Sequence, residues 1–210
     1  MRRGAGRRMR MAAGFVCLAA SLLAAVSCAS GAEADRTAET NAALELGRLY
    51  HLDGKFDEAI EVYDRGLSIS PDNEKLLYNK VLALIKAKRF DEAASLAASS
   101  FSSFPHLIRF AKAQAAALEL NGDNAAAVDA WTTIVELDPG DSDSRTRLME
   151  LLANMERYDE AEQQAMYLLE RKRSEASALR VLVQADKSRG GTGEPWATLE
   201  QAGFPSPSTK

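Results

Sequence analysis

The chain has little of what most protein chemistry needs. Its 210 residues include only two cysteines, Cys17 and Cys28, too few for a disulfide-rich scaffold. Its only histidines, His51 and His106, are far apart in the sequence and offer little for metal binding or proton transfer. Positive charge is not in excess. Lys and Arg number 26 against 30 Asp and Glu, a formal net charge of −4, which argues against general nucleic-acid binding. No G-x-S-x-G, HExxH, CxxC or Walker lysine is present. Gly190-Gly191-Thr192-Gly193 lacks the Lys-Ser/Thr that would make it a phosphate loop, and reads as a linker. No catalytic residue, metal site or cofactor is therefore assigned. What the chain does have is 46% hydrophobic and 27% charged residues, enough for a sizeable folded core.

The N-terminus stands apart from these averages. Residues 1–10 carry five arginines and no acid, and residues 11–27 carry no charge. A cationic head followed by an apolar run is the pattern of a secretory signal. The run is shorter than the roughly 20 residues of a membrane span and has no positive stop beyond it, so a cleaved signal is expected rather than a permanent anchor. It ends Leu22-Leu23-Ala24-Ala25-Val26-Ser27-Cys28.

Small residues before a cysteine resemble the lipobox of bacterial lipoproteins, with Ala25 where that family usually has Leu. The resemblance implies lipidation of Cys28, cleavage before it and a mature chain starting there. An ordinary signal cut at an Ala-x-Ala-like site near Ala24–Val26 or Ser27–Ala29 is the alternative. Cleavage would leave 21 basic and 30 acidic residues, −9 formally. Ala29, in place of the Asp that commonly retains lipoproteins in the inner membrane, by that resemblance permits export to the outer membrane, and a lipid-anchored protein there facing the periplasm is the expected location. Residues 28–40 are small and polar and read as a tether.

From residue 41 the chain repeats. Phe56-Asp57-Glu58-Ala59, Phe90-Asp91-Glu92-Ala93 and Tyr158-Asp159-Glu160-Ala161 are near copies, with Asn124-Ala125-Ala126-Ala127 between them. The alanines recur at positions 59, 93, 127 and 161, and Pro71, Pro105 and Pro139 keep the same constant step. Two ladders with one period mark a repeat architecture. Each copy holds two helical-length apolar-periodic stretches, expected at 41–53 and 57–69, 75–87 and 91–103, 109–121 and 125–137, and 143–155 and 159–171. Small residues at 47, 59, 93, 115 and 127 allow close helix approach, and aromatics at 50, 63, 90, 131 and 158 fill the space between. Asp57, Asp91 and Asp159 are expected at the starts of second helices, accepting backbone N–H bonds. The prolines stop those helices. Five serines and no aromatic in the equivalent column make 91–103 the expected weak element.

The 34-residue period, with Leu46, Gly47, Tyr50, Gly54, Ala59, Tyr63, Gly66 and Pro71 in the first copy, resembles the tetratricopeptide repeat (TPR). The resemblance implies an all-α, right-handed α-solenoid of about four helix pairs, at 40–73, 74–107, 108–141 and 142–173. A capping helix over 174–188 would close the apolar end of the stack. The resulting domain is 41–188, and 189–210 is assigned as a flexible tail. Within that tail, a short helix from Pro195 carrying Trp196, Leu199 and Phe204 has two open readings, docked or disordered.

In such a stack the first helix of each copy lines the concave face. By family register the groove includes Arg48, His51, Lys75, Tyr78, Asn79, Leu82, Lys86, Arg109, Lys112 and Glu119, basic over an apolar floor. Some family members grip a C-terminal carboxylate with a Lys, Asn and Arg clamp. Asn79 matches it and Arg109 is a stand-in, whereas Leu44, Arg48 and Ala113 depart from it. The expected function is a membrane-anchored scaffold of the bacterial envelope. It would bind a peptide segment or partner subunit in the groove, with no nucleic acid and no enzymatic activity. A surface-exposed ligand binder or adhesin, and an auxiliary subunit of an envelope enzyme, are the alternatives.

Overall fold

The computed structural model describes residues 33–173, 175–194, 199, 200 and 204. Helix α1 covers residues 33–52. It is followed by α2 (Phe56–Ile69), α3 (Glu74–Lys86), α4 (Phe90–Ser103), α5 (Ile108–Asn121), α6 (Asn124–Leu137), α7 (Ser142–Asn154), α8 (Tyr158–Glu170) and α9 (Glu175–Ser188). No strand occurs among the described residues. The fold is all-α. Helices α2 to α9 start and end within one residue of the ranges expected from sequence. Helix α1 does not: residues 33–40, read as part of a tether, are helical. Extending an existing helix adds a hydrogen bond for each residue fixed, so a polar segment attached to a stable helix can join it.

The turns repeat as faithfully as the helices. Gly54, Lys88, Gly122 and Glu156, at the same place in successive repeats, all have positive φ, at 75°, 61°, 83° and 60°. The next amide in each copy reaches back over the turn: Lys55 N–H to Tyr50 O, Arg89 to Leu84, Asp123 to Leu118 and Arg157 to Leu152, all at 2.9–3.0 Å. This is the Schellman closure, in which a left-handed residue lets an amide satisfy a carbonyl left open at the helix end. Lys88 and Glu156 adopt that conformation without being glycine, at a steric cost of about 1–2 kcal/mol each.

Second helices end differently. Pro71, Pro105 and Pro139 each lie two residues past the end of α2, α4 and α6. The fourth copy has Arg173 there. Its helix α8 closes by another left-handed turn at Lys172 (φ 54°), with Arg173 N–H bonded to Leu168 O at 2.8 Å.

The capping expectation needs correction. The N-cap residues of α2, α4 and α8 are Lys55, Arg89 and Arg157, and none makes a side-chain cap bond. Asp57, Asp91 and Asp159 are the second residues inside their helices, where their charge suits the dipole. Asp91 accepts from Asn121 Nδ2 at 2.7 Å. Side-chain caps occur instead at Asn73, which accepts from Lys75 and Leu76 N–H, at Asp123, and at Asp141. At α4 and α8 the N-cap arginine forks onto the glutamate three residues on, Arg89 to Glu92 at 2.6 Å and Arg157 to Glu160 at 2.7 Å.

Two compact units divide at Lys80 and Val81. In the first, Ala59, Ile60, Val62, Tyr63 and Leu76 are buried. Gly47 is what lets α1 approach Tyr63. A Cβ added there would lie 2.7 Å from ring carbons Cδ1 and Cζ, and closer still to Cε1. In the second unit one core runs from Ala111 through Trp131, Ile134, Leu148, Met149, Leu152 and Leu168 to Leu182 of α9. All four period-marking alanines, at 59, 93, 127 and 161, are completely buried, as close helix approach requires.

Part of the segment assigned as a flexible tail is docked, one of the two readings left open for it. Leu199 is buried in the second unit's core, and Phe204 packs against it, with its amide bonded to Leu199 O at 2.9 Å. The glycine run turns tightly around Asp186, whose carboxylate accepts from Gly193 N–H at 2.8 Å. Trp196 lies outside the described residues.

Candidate functional site

The site expected from sequence is a set of side chains on first helices. Cys28, its lipid-bearing element, lies outside the described residues. In the first unit, Arg48 is exposed and pairs with Glu45 at 3.2 Å. His51 is half-buried, its ring edge-on to Phe56 with centroids 5.3 Å apart, so this histidine packs rather than facing open solvent.

Helix α3 carries the clearest part of the set. Lys75, Tyr78, Asn79, Leu82 and Lys86 recur at steps of three and four residues, which places them on one face of the helix. The opposite side, Leu76, Val81 and Leu84, is buried. The two lysines are exposed, and Tyr78, Asn79 and Leu82 are half-buried. Asn79 Nδ2 donates to Lys75 O at 2.7 Å, so one of its amide hydrogens is held by its own helix.

In the second unit the remaining residues have structural partners. Lys112 pairs with Asp141 at 2.5 Å. Burial pushes the Asp141 carboxyl up. Hydrogen bonds from Lys112 and Ser144, with the Lys112 charge, outweigh that and hold it below the ordinary carboxylate range. Glu119 accepts from Trp131 Nε1 at 3.3 Å and lies 3.8 Å from Arg147. Arg109 is half-buried, its guanidinium carbon 5.5 Å from the Phe110 ring centroid. Lys112 and Glu119 therefore have partners within the unit, and the cationic surface expected from sequence is partly neutralised. Their partners Asp141, Trp131 and Arg147 belong to later segments of the chain, beyond the reach of helical periodicity.

Sequence reasoning passed over one buried cation. Arg145 on α7 is 8% exposed. The signal was present: at the equivalent place in the earlier repeats stand Ala43, Leu77 and Ala111, so a charge replaces an apolar column. Among the described residues, no group of three or more His, Cys, Asp or Glu is placed to hold a metal. No described helix is long and apolar enough to cross a membrane.

With the repeating helix pairs, left-handed turns and buried alanine ladder established, comparison with known proteins decides the fold. The tetratricopeptide-repeat family model matches residues 50–117. These are tetratricopeptide repeats. The RNA polymerase II-associated protein 3 of Xenopus laevis is 32% identical over 129 residues, 60% of this chain. The chain spans only 19% of that relative's length, so the match concerns the repeats and not that protein's activity. Among solved structures, a MamA protein superposes with a TM-score of 0.67 at 18% identity, over 78% of this chain and 90% of its own. YrrB, described as a TPR protein with an unusual peptide-binding site, gives 0.60 at 17% identity, over 76% and 82%. At such identities the likeness establishes the TPR fold alone.

Proposed function

We propose that this chain is a membrane-tethered TPR scaffold of the bacterial cell envelope, which binds a peptide segment or partner subunit on the exposed face of its first helices. The observation that carries the reading is the α3 face. A lysine at each end flanks a tyrosine, an asparagine and a leucine, half-buried over a packed helix. That is a surface of mixed chemistry suited to an extended acidic segment: cations for carboxylates, an amide for backbone groups and an apolar patch between. The TPR fold supports it, since it offers such faces without catalytic machinery, and one solved neighbour is described by its peptide-binding site. The tether rests on the arginine-rich head, the uncharged run and Cys28. Two or more acyl chains would hold the protein firmly at a membrane.

The test is an affinity capture from native membranes with wild type and a Lys75→Glu/Lys86→Glu double variant. These two lysines make no ion pair among the described residues, whereas reversing Lys112 would unfasten Asp141. A partner lost only in the variant supports recognition on α3; a partner retained equally refutes it. Metabolic labelling with palmitate, compared between wild type and Cys28→Ala, tests the tether on its own. Label present in wild type and absent from the variant is expected.

A further inference from the structure

Burying a guanidinium is costly unless its charge and its N–H groups are met. Arg145 meets little of that requirement. Its Nη1 donates to Gln164 Oε1 at 2.6 Å. Its Nε is buried without a hydrogen-bond partner. No carboxylate forms an ion pair with it among the described residues. The guanidinium carbon stacks 3.5 Å from the Tyr167 ring centroid, and that of Arg171 lies 3.7 Å from the same centroid. Two cations that near one ring occupy its two faces. Tyr167 is fixed in turn by its hydroxyl, which donates to Pro139 O at 2.9 Å. The stack positions Arg145 but supplies no anion, and a second cation sits across the ring. Burial pulls the guanidinium below its ordinary value, in keeping with the missing partner at Nε.

The anomaly extends to its partner. Gln164 follows Val62, Leu96 and Ala130 in the equivalent column of the earlier repeats. In the first three copies both columns are apolar; in the fourth both turn polar together, and the two residues bond to each other. Arg145 and Gln164 line a cleft of about 480 Å³ between α6, α7 and α8. These walls belong mainly to the second helices α6 and α8, not to the first-helix face discussed above. Val128, Val135, Leu148 and Leu152 give the cleft apolar lining. Thr132 adds a hydroxyl. Gln164, its oxygen committed to Arg145, has only its amide N–H groups to offer. Guanidinium, amide and hydroxyl are all donors, which is the complement of a carboxylate. Asp129, Glu136 and Glu160 also line the cleft. Glu160 is tied to Arg157; Asp129 and Glu136 repel any anion, and a second negative charge on the ligand more strongly than one.

We propose that the α6–α7–α8 cleft is a binding site for an aliphatic monocarboxylate, with Arg145, Gln164 and Thr132 holding the carboxylate and the valines and leucines covering the hydrocarbon. The acid is either a free short-chain acid or the C-terminus of a polypeptide ending in an aliphatic residue.

The test titrates isovalerate into the full chain and follows the Arg145 Nε and Gln164 Nε2 resonances by nitrogen-15 NMR. Saturable shifts are expected with isovalerate, none with neutral isovaleramide and none in Arg145→Met. Thr132→Val, a nearly isosteric change, keeps Arg145 in place and weakens binding about tenfold, as loss of one hydrogen bond to a charged group does. It decides the matter even where Arg145→Met does not fold. An absence of saturable shifts, equal response to the amide, or unchanged affinity in Thr132→Val overturns the proposal. A short peptide ending in valine distinguishes the sources. Tighter binding than isovalerate, lost on C-terminal amidation, identifies a chain terminus, and equal or weaker binding identifies a free acid.

Discussion

Replacing Ser100 by alanine should make the protein more stable, although it removes a polar group from a natural sequence. Ser100 lies on α4, 3% exposed, and its Oγ is buried with no hydrogen-bond partner. Its neighbours behave otherwise: the hydroxyls of Ser99, Ser102 and Ser103 donate to backbone carbonyls three or four residues back. Leaving a buried hydroxyl unsatisfied costs about 1–3 kcal/mol. Serine is also a poorer helix former than alanine by roughly 0.5 kcal/mol. Against this stands the lost packing of one oxygen atom, worth a few tenths of a kcal/mol in contacts. The gain outweighs the loss, and Ser100→Ala should add about 1–3 kcal/mol. For a chain of this size that raises Tm by about 2–12 °C. Urea and thermal unfolding, compared with Ser99→Ala, isolate the burial contribution, because both variants gain the same propensity and only one removes an orphan hydroxyl. Hydrogen exchange should slow most within 90–103. A Ser100→Ala protein no more stable than Ser99→Ala would refute the reasoning.

Three further outcomes follow from the same geometry. Gly47→Ala should destabilise by about 1–3 kcal/mol in urea unfolding despite alanine's helix preference, since its Cβ meets the fully buried Tyr63 ring; a gain in stability would mean the ring yields freely. Burial pushes the Tyr63 phenol up to about 12 from its usual 10.0. The unfolded chain therefore loses that proton first, and stability falls as pH rises from 10 towards 12; Tyr63→Phe should remove that slope, and an unchanged alkaline limb would count against it. The Asp141 carboxyl is depressed, so its contribution is full above the ordinary carboxylate value and is lost as pH falls through the folded one. Asp141→Asn should lower stability at neutral pH and flatten the acid limb, measured as unfolding midpoint from pH 2 to 7.

Most of the helical framework was legible because its causes are local and repeated. The buried alanines, the prolines just past their helices and the small Gly47 opposite Tyr63 each require one residue type at one place, so each leaves its mark at a fixed point of the repeat. The left-handed turn positions were only half legible. Gly54 and Gly122 announce them, but Lys88 and Glu156 adopt the same conformation without a compositional signal. The cap assignment failed by two residues because a carboxylate in the first turn and one at the N-cap look alike in sequence. The candidate site was less legible still. Lys112 and Glu119 read as surface residues, and their partners Asp141 and Trp131 come from outside their own helix.

The sequence by itself determined the repeat length, the helix pairs and the places where chains approach closely. Such features follow from periodic burial and backbone chemistry within a single repeat. Only the tertiary structure decided which charges are spent internally and which remain exposed. It also decided that Leu199 and Phe204 join the core, and that Arg145 is buried beside a cleft rather than solvated. Those outcomes depend on distances between side chains on different helices, set by packing, which no period in a single chain records.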